Sequence, residues 1–293
     1  MNVFVAGGSG FIGSTVCRHL RQRGHNWTII SRTTGPNKIS WSELMENGLP
    51  ECDAVINLCG ENAFNPMKRW NEAFKREVIR SRVQTTANIT KLISDMNRPP
   101  KVFVSASAVG FYPPSTSAEY TEGGPAGTDF FARLSVDWEN IAMQARSDKT
   151  RVSLVRIGVA LGKDGGVIKQ MKLPFYLGLG GVIGSGEQFF PWIHVDDIAG
   201  IFIHAIENDN VEGALNATAP SVTTNHDFTK AFAAALWRPS IFPLPEFIVK
   251  AMLGSERAVV LLEGQNVQPK RTLESGYTFK YTSITDALKD IVS

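Results

Sequence analysis

The run Val3-Phe4-Val5-Ala6-Gly7-Gly8-Ser9-Gly10-Phe11-Ile12-Gly13 leaves this chain few ways to fold. A short apolar strand feeds a glycine turn. Ile12, Val16 and Leu20 then recur at i, i+4 and i+8, one face of a helix that Gly24 stops. In such a unit Gly7 permits the tight turn and Gly10 lets a pyrophosphate approach the backbone, while Gly13 lets the helix pack against the strand. The helix N-terminus supplies amide donors and a positive dipole for phosphate. Glycine turns are common, and a purely structural turn is the alternative. The position after a strand and before a helix, at the head of an alternating chain, favours a phosphate-binding loop.

The alternation continues. Strands are predicted at Val3 to Ala6, Trp27 to Ser31, Ala54 to Leu58, Val102 to Ser105 and Val152 to Ile157, and helices at Ile12 to Arg23 and about Trp70 to Ser94. The near-continuous apolar strands suit a parallel sheet covered on both faces. The fold class is therefore α/β, a Rossmann-type doubly wound sheet with a smaller C-terminal lobe. Residues 1–160 form the nucleotide-binding domain, with 191–236 packing onto it, and 161–190 with 237–293 form a substrate lobe. The glycine-rich stretch up to Gly186 reads as an ordered loop over a site. A further helix follows Asp196-Asp197, whose carboxylates suit its N-terminus, and another, capped by Thr224 or Asn225, runs through Leu236.

The choice of ligand comes from an absence. No carboxylate precedes Glu43. Proteins that take NAD place an Asp or Glu about 20 residues beyond the fingerprint, on the ribose 2′-hydroxyl. Here that place reads Ile29-Ile30-Ser31-Arg32. Arginine's planar fork matches phosphate oxygens, and Ser31 adds a hydrogen bond, so the expected cofactor is NADP(H). Arg32 as a solvated strand-end residue is the alternative. Leu58, Cys59 and Gly60, at the end of the third strand, would let backbone pass beside the adenine and ribose, unless they form a plain turn. On the long helix Phe74, Val78, Arg82, Thr85 or Thr86, and Ile89 share one face, so Arg82 interrupts an apolar stripe. A charge there needs a partner. A cofactor contact by Arg82 with Glu77 nearby accounts for it, as does a side chain that reaches the helix edge.

Bulk properties exclude other classes. With 293 residues and 43% hydrophobic content the chain buries a large core, and a net charge of +2 leaves no footprint for nucleic acid or a membrane surface. No apolar run approaches a bilayer span, and no room precedes the first strand for a leader, so a cytoplasmic protein is expected. Cys17, Cys52 and Cys59 lack paired spacing, and five scattered histidines suggest no metal site. The expected partner is a small-molecule substrate, and a homodimer is left open.

The fingerprint, Asn57-Leu58-Cys59-Gly60, Val104-Ser105-Ala106-Ser107 and Trp192-Ile193-His194-Val195-Asp196-Asp197-Ile198-Ala199 together resemble an extended short-chain dehydrogenase/reductase, the group of nucleotide-sugar epimerases and dehydratases. The resemblance covers nearly the whole chain. Arg69-Trp70-Asn71-Glu72, Gly178-Leu179-Gly180-Gly181, Pro191-Trp192-Ile193-His194 and Leu262-Glu263-Gly264-Gln265 are similar to the atypical "epimerase family protein" subgroup 39U. That resemblance implies NADP(H) contacts at Ser31, Arg32, Leu58, Cys59, Glu77, Arg82 and near Ala160. The wider family pairs a Ser or Thr with a Tyr and a Lys four residues later. None of the five tyrosines here has that lysine, and the place offers Phe131 and Ser135. Ser107 remains a candidate catalytic serine, or a strand-end cap. Tyr112 could donate a proton in place of the missing tyrosine, or simply pack beside Pro113. His194 reads as a packed imidazole beside capping aspartates rather than as an acid/base. Two functions follow: an NADP(H)-dependent oxidoreductase acting on a small carbonyl or nucleotide-sugar-like substrate, or a non-catalytic NADP(H)-binding sensor or scaffold.

Overall fold

In the computed structural model, which describes residues 1–65 and 67–293, the alternating chain winds into one parallel sheet. Its elements are β1 (Asn2–Ala6), α1 (Phe11–Gln22), β2 (Asn26–Ser31), β3 (Lys38–Ser40), α2 (Trp41–Asn47), β4 (Ala54–Asn57), α3 (Glu72–Ile79), α4 (Thr85–Ser94), β5 (Val102–Ala108), β6 (Glu119–Tyr120), α5 (Phe130–Met143), β7 (Arg151–Ile157), β8 (Val159–Gly162), α6 (Gly166–Tyr176), β9 (Trp192–His194), α7 (Val195–Glu207), β10 (Gly213–Ala217), α8 (Asn225–Ala235), α9 (Glu246–Leu253), α10 (Ser255–Leu262), β11 (Asn266–Val267), α11 (Lys270–Glu274) and α12 (Ile284–Val292).

Seven strands pair in the order β3-β2-β1-β4-β5-β7-β10, all parallel, and the order reverses between β1 and β4. Ligands of such sheets bind in the crevice outside the carboxyl ends of the strands at that reversal. Alternate residues of β1 enter two cores. Val3 and Val5 join Val16, Leu20, Ile198 and Phe202 under α1 and α7, whereas Phe4 and Ala6 join Leu44, Ile89, Ile93 and Phe103 on the other face. Both faces are covered, which is why the strands read as unbroken apolar runs.

The structure departs from the sequence reading in three places. The short β3 and α2 were not foreseen, although Ser40 and Glu43 form a reciprocal capping box at the start of α2. The predicted helix from Trp70 to Ser94 is α3 and α4 joined by a π-helical turn, Arg80–Gln84. One extra residue in a turn shifts the helix phase without changing its composition, and such bulges gather at functional sites. Finally, α8 leaves the sheet. Phe228 and Phe232 pack with Phe175 of α6, Trp192 of β9 and Leu288 of α12 in a third core, so of residues 191–236 it is α7 and β10 that cover or extend the sheet.

The segment Trp192 to Asp197 ties these parts together. His194 itself caps α7, its Nδ1 accepting the Asp196 amide at 3.1 Å, and the aspartates expected as caps reach elsewhere. Asp196 pairs with Arg18 of α1 at 2.7 Å and with Lys280 at 3.2 Å. Asp197 accepts the amides of Lys280 and Tyr281 at 2.7 and 2.9 Å and the Tyr277 hydroxyl at 3.0 Å. Two adjacent carboxylates thereby bind the first helix and the C-terminal segment to one helix end. No helix among the described residues is long and apolar enough to cross a membrane.

Candidate cofactor site

The turn between β1 and α1 is built where only glycine fits. Gly7 has φ +78°, and a Cβ there would lie 2.8 Å from the carbonyl of Leu58. At Gly13 a Cβ would meet the Gly7 carbonyl oxygen at 2.2 Å. Gly8 backs onto Ile29, with 2.9 Å to an added Cβ. Gly10 differs: its backbone is extended, its amide donates to the Gly7 carbonyl at 3.0 Å, and that carbonyl is the sole atom near an added Cβ, at 3.3 Å. Space over Gly10 is thus open, as a loop that admits a pyrophosphate requires. No side chain caps α1 and its first turn holds no carboxylate, so its amides and dipole suit an anion. The cradle fits the phosphates of a dinucleotide.

Ser9 is exposed beside the turn, and Ile12 packs against the core beneath α1. Phe11 lies against the glycines at and after the end of β8. A Cβ at Gly162 or Gly165 would come within 2.8 or 2.3 Å of its ring. Ala160 sits in the same wall, its carbonyl 2.3 Å from an added Cβ on Gly166. The run Gly162 to Gly166 is therefore shaped by Phe11, a link invisible to any reading of one segment at a time.

At the end of β2, Ser31 is half-buried and its hydroxyl bonds the amide and carbonyl of Thr33. Arg32 is exposed and, among the described residues, forms no ion pair. Glu43, the first acid of the chain, is engaged with Ser40, whose amide donates to its Oε2 at 2.8 Å and holds its pKa below the usual value. Among the described residues, this strand end thus offers an unpaired guanidinium, and the first acid of the chain is engaged in a cap.

At the end of β4, the buried Asn57 accepts the Cys59 amide at 3.1 Å and donates to Thr86 at 2.8 Å, fixing the path of Leu58, Cys59 and Gly60. Burial pushes the Cys59 thiol up to about 12. Arg82 rises from the π turn and lies 3.1 Å from where a Gly60 Cβ would stand. It donates to the carbonyls of Glu61 at 3.0 Å and Val78 at 3.3 Å and stacks 5.3 Å from the Trp138 ring. Burial pulls its pKa down to about 10, opposed by the more distant Glu61 carboxylate. The expected neighbour Glu77 is not its partner: Glu77 is exposed and pairs with Lys68 at 2.5 Å. Arg82 thus has the character the interrupted stripe implied, a half-buried cation with carbonyl and, among the described residues, no carboxylate partners, and its guanidinium borders the strand end beside the glycine cradle.

The catalytic candidates are held differently. Ser107 is buried and donates to Glu139 Oε1 at 2.6 Å. Glu139 in turn takes Arg156 in a two-pronged pair, Nε to Oε1 and Nη2 to Oε2, both 2.8 Å. Arg156 Nη1 donates to the Tyr112 hydroxyl at 2.8 Å, which donates to Asn216 at 2.8 Å. Tyr112 is fully buried, stacked on Tyr120, and burial raises its pKa. This corrects the expectation of Tyr112 as a substitute proton donor: its hydroxyl is engaged on both sides inside the protein. Ser107 likewise spends its proton on a structural carboxylate. Phe131, where the family's tyrosine would stand, is stacked between Phe64 and Trp70 at 5.8 and 5.7 Å, and Ser135 donates back to the Phe131 carbonyl at 2.8 Å. Sequence reasoning missed Glu139 and Arg156. The available signal was Arg156 itself, a charge near the end of an apolar strand.

Fold and cradle define a Rossmann-type protein carrying a dinucleotide fingerprint and lacking a tyrosine–lysine pair. The model of the NAD dependent epimerase/dehydratase family matches residues 3–217, and the chain belongs to that family. A second model, a domain of unknown function (DUF1731), matches residues 244–291. The human epimerase family protein SDR39U1 is 50% identical over 294 residues, covering 100% of both chains. The chloroplastic homolog of Arabidopsis thaliana is 38% identical over 306 residues, covering 100% of this chain and 87% of its own. The crystal structure of the human protein (isoform 2) with NADPH superimposes with a TM-score of 0.98 at 49% identity, over 100% of this chain and 99% of that one.

Proposed function

We propose that the chain is an NADP(H)-dependent oxidoreductase of the atypical short-chain dehydrogenase/reductase type. One observation carries the cofactor: the strand end beside the glycine cradle presents Ser31 and a free Arg32, and its nearest acid is occupied in a helix cap. That a relative of 49% identity was crystallised with NADPH supports it. Gly7 to Gly13 and the amides of α1 would hold the pyrophosphate. Ser31 and Arg32 would hold the 2′-phosphate, and Leu58 to Gly60 with Arg82 the adenosine side. When bound, the nicotinamide supplies hydride chemistry. The third core and the C-terminal segment form the lobe expected to receive a small carbonyl or nucleotide-sugar-like substrate. General acid/base help is worth about 10²–10⁴-fold, so a site without the tyrosine would be slow rather than inert.

The buried engagement of Ser107 and Tyr112 favours a second reading, an NADP(H)-binding sensor or scaffold. Ligand that binds only the folded state stabilises it by about 2.7 kcal/mol at 100-fold excess over Kd. NADPH should therefore raise the melting temperature well beyond NADH, and equal shifts would refute the cofactor assignment. NADPH oxidation at 340 nm across carbonyl and nucleotide-sugar panels separates the two readings. Turnover supports the enzyme, and tight binding without turnover supports the sensor.

A further inference from the structure

The C-terminal lobe exposes a surface that its own fold does not explain. Trp237 follows α8 and is 90% exposed, with φ +56°. A bulky residue rarely adopts that left-handed conformation, and glycine is the usual occupant of the position after a helix. Backbone strain and a bare indole are both kept where a glycine would remove them. The segment that follows is also uncovered: Phe242 is 54% and Phe247 71% exposed. At 150–250 Å² per aromatic side chain, these three rings alone offer on the order of 400 Å² of apolar surface.

The patch is continuous with the exposed end of α6. Arg238 Nε donates to the Tyr176 carbonyl at 2.8 Å and its guanidinium covers the Tyr176 ring at 4.9 Å. The Leu244 amide donates to the Val182 carbonyl at 2.8 Å, and an added Cβ on Gly178 would stand 3.6 Å from Pro239. Leu173 of α6 and Leu177, the residue that caps it, stand one turn apart and extend the bare apolar face, and both are exposed. Exposed apolar surface gathered on this scale marks an interaction face.

Charge selects the occupant. Between Gly166 and Gly186 and between Trp237 and Leu253 stand Lys169, Lys172, Arg238 and Lys250 against a single acid, Glu246, which is paired with Lys250. The total of +2 conceals this local excess. Two copies meeting through the patch would set these cations against one another. An anionic lipid surface complements them, takes up Trp and Phe at its interface, and has no shape to match. We propose that this face docks the protein on anionic membrane surfaces, Trp237, Phe242 and Phe247 entering the headgroup layer and Lys169, Lys172 and Arg238 meeting lipid phosphates.

The test is co-sedimentation of the full chain with vesicles of phosphatidylcholine alone or with one-third phosphatidylserine, alongside light scattering of the free protein. Binding to the anionic vesicles alone, weakened by salt, is expected. Trp237→Gly should lose binding while melting no lower than the parent, because glycine relieves the left-handed backbone, so loss of fold cannot mimic the result. Lys169→Gln with Lys172→Gln should lower partitioning about 25-fold, at about fivefold per charge. Absence of sedimentation with anionic vesicles, or Trp237→Gly binding as the parent does, overturns the proposal. A dimer in free solution that Trp237→Gly converts to monomer also overturns it, and assigns the face to a second copy.

Discussion

Substituting Glu139→Gln tests whether Ser107 and Tyr112 belong to a structural network. Arg156 is 5% exposed and Glu139 7%, and their two contacts of 2.8 Å place both charges inside the protein. Burial works against the guanidinium, and Glu139 more than offsets it, so the Arg156 pKa stands above its ordinary value. Removing one charge of such a pair costs about 3–5 kcal/mol because the other is left buried and unpaired. Glutamine keeps a carbonyl acceptor, and the Tyr112 hydroxyl and Glu122 carbonyl still receive Arg156 at 2.8 and 3.0 Å, so the low end, about 3 kcal/mol, is expected. At roughly 2–4 °C per kcal/mol for a chain of this order of size, the melting temperature falls by about 6–12 °C. Ser107→Ala removes one hydrogen bond to a carboxylate and costs about 1.5–3 kcal/mol. Thermal and denaturant unfolding followed by tryptophan fluorescence together read all of these. The double change Glu139→Met with Arg156→Met should cost less than the sum of the singles, because no charge is stranded. An unchanged melting temperature in Glu139→Gln refutes the network. So does a Ser107→Ala or Tyr112→Phe variant of parental stability that has lost NADPH-dependent turnover, since that places the hydroxyl on substrate.

Arg32→Ala should weaken NADPH about 10- to 100-fold in a calorimetric titration, the worth of a hydrogen bond to a charged group, while leaving NADH unaffected; equal losses for both would remove Arg32 from the 2′-phosphate. Gly13→Ala sets a methyl 2.2 Å from a carbonyl oxygen and should destabilise the fold by about 3 kcal/mol or more, whereas Gly10→Ala should melt near the parent yet bind NADPH poorly. Reversal of that order in a thermal-shift comparison would contradict the cradle. Burial lowers the pKa of His194, against the opposing pull of Asp196 and Asp290, so its neutral ring is favoured in the fold. The associated stability is complete above the unfolded value near 6.5 and lost as pH falls from there through the folded value. His194→Asn, which keeps an acceptor at the cap of α7, should flatten stability between pH 7 and 5, and an unaltered slope would show that other groups set it.

How far the sequence could be read follows from what each feature is made of. The β1 to α1 turn is one contiguous segment whose glycines answer to their own backbone, so its strand, turn and helix were all visible. Arg82 announced itself because a charge on an apolar stripe demands an explanation that neighbouring residues did not offer. The π turn that delivers it could not be seen, since one added residue shifts the helix phase without changing its composition. Placement of α8 was equally hidden: Phe228 and Phe232 form an apolar face that suits the sheet as well as α12, and long-range geometry decides between them. The catalytic side was opaque for a related reason. Ser107, Tyr112, Glu139, Arg156 and Asn216 come from β5, the turn after it, α5, β7 and β10, and whether a hydroxyl serves chemistry or packing depends on which of the others reaches it first. A serine that in the wider family would face a substrate is here turned onto a carboxylate by an arginine 49 residues further along the chain. Phosphate recognition by backbone amides is less exposed to such rearrangement than proton transfer, which belongs to side chains that can be recruited to hold the core.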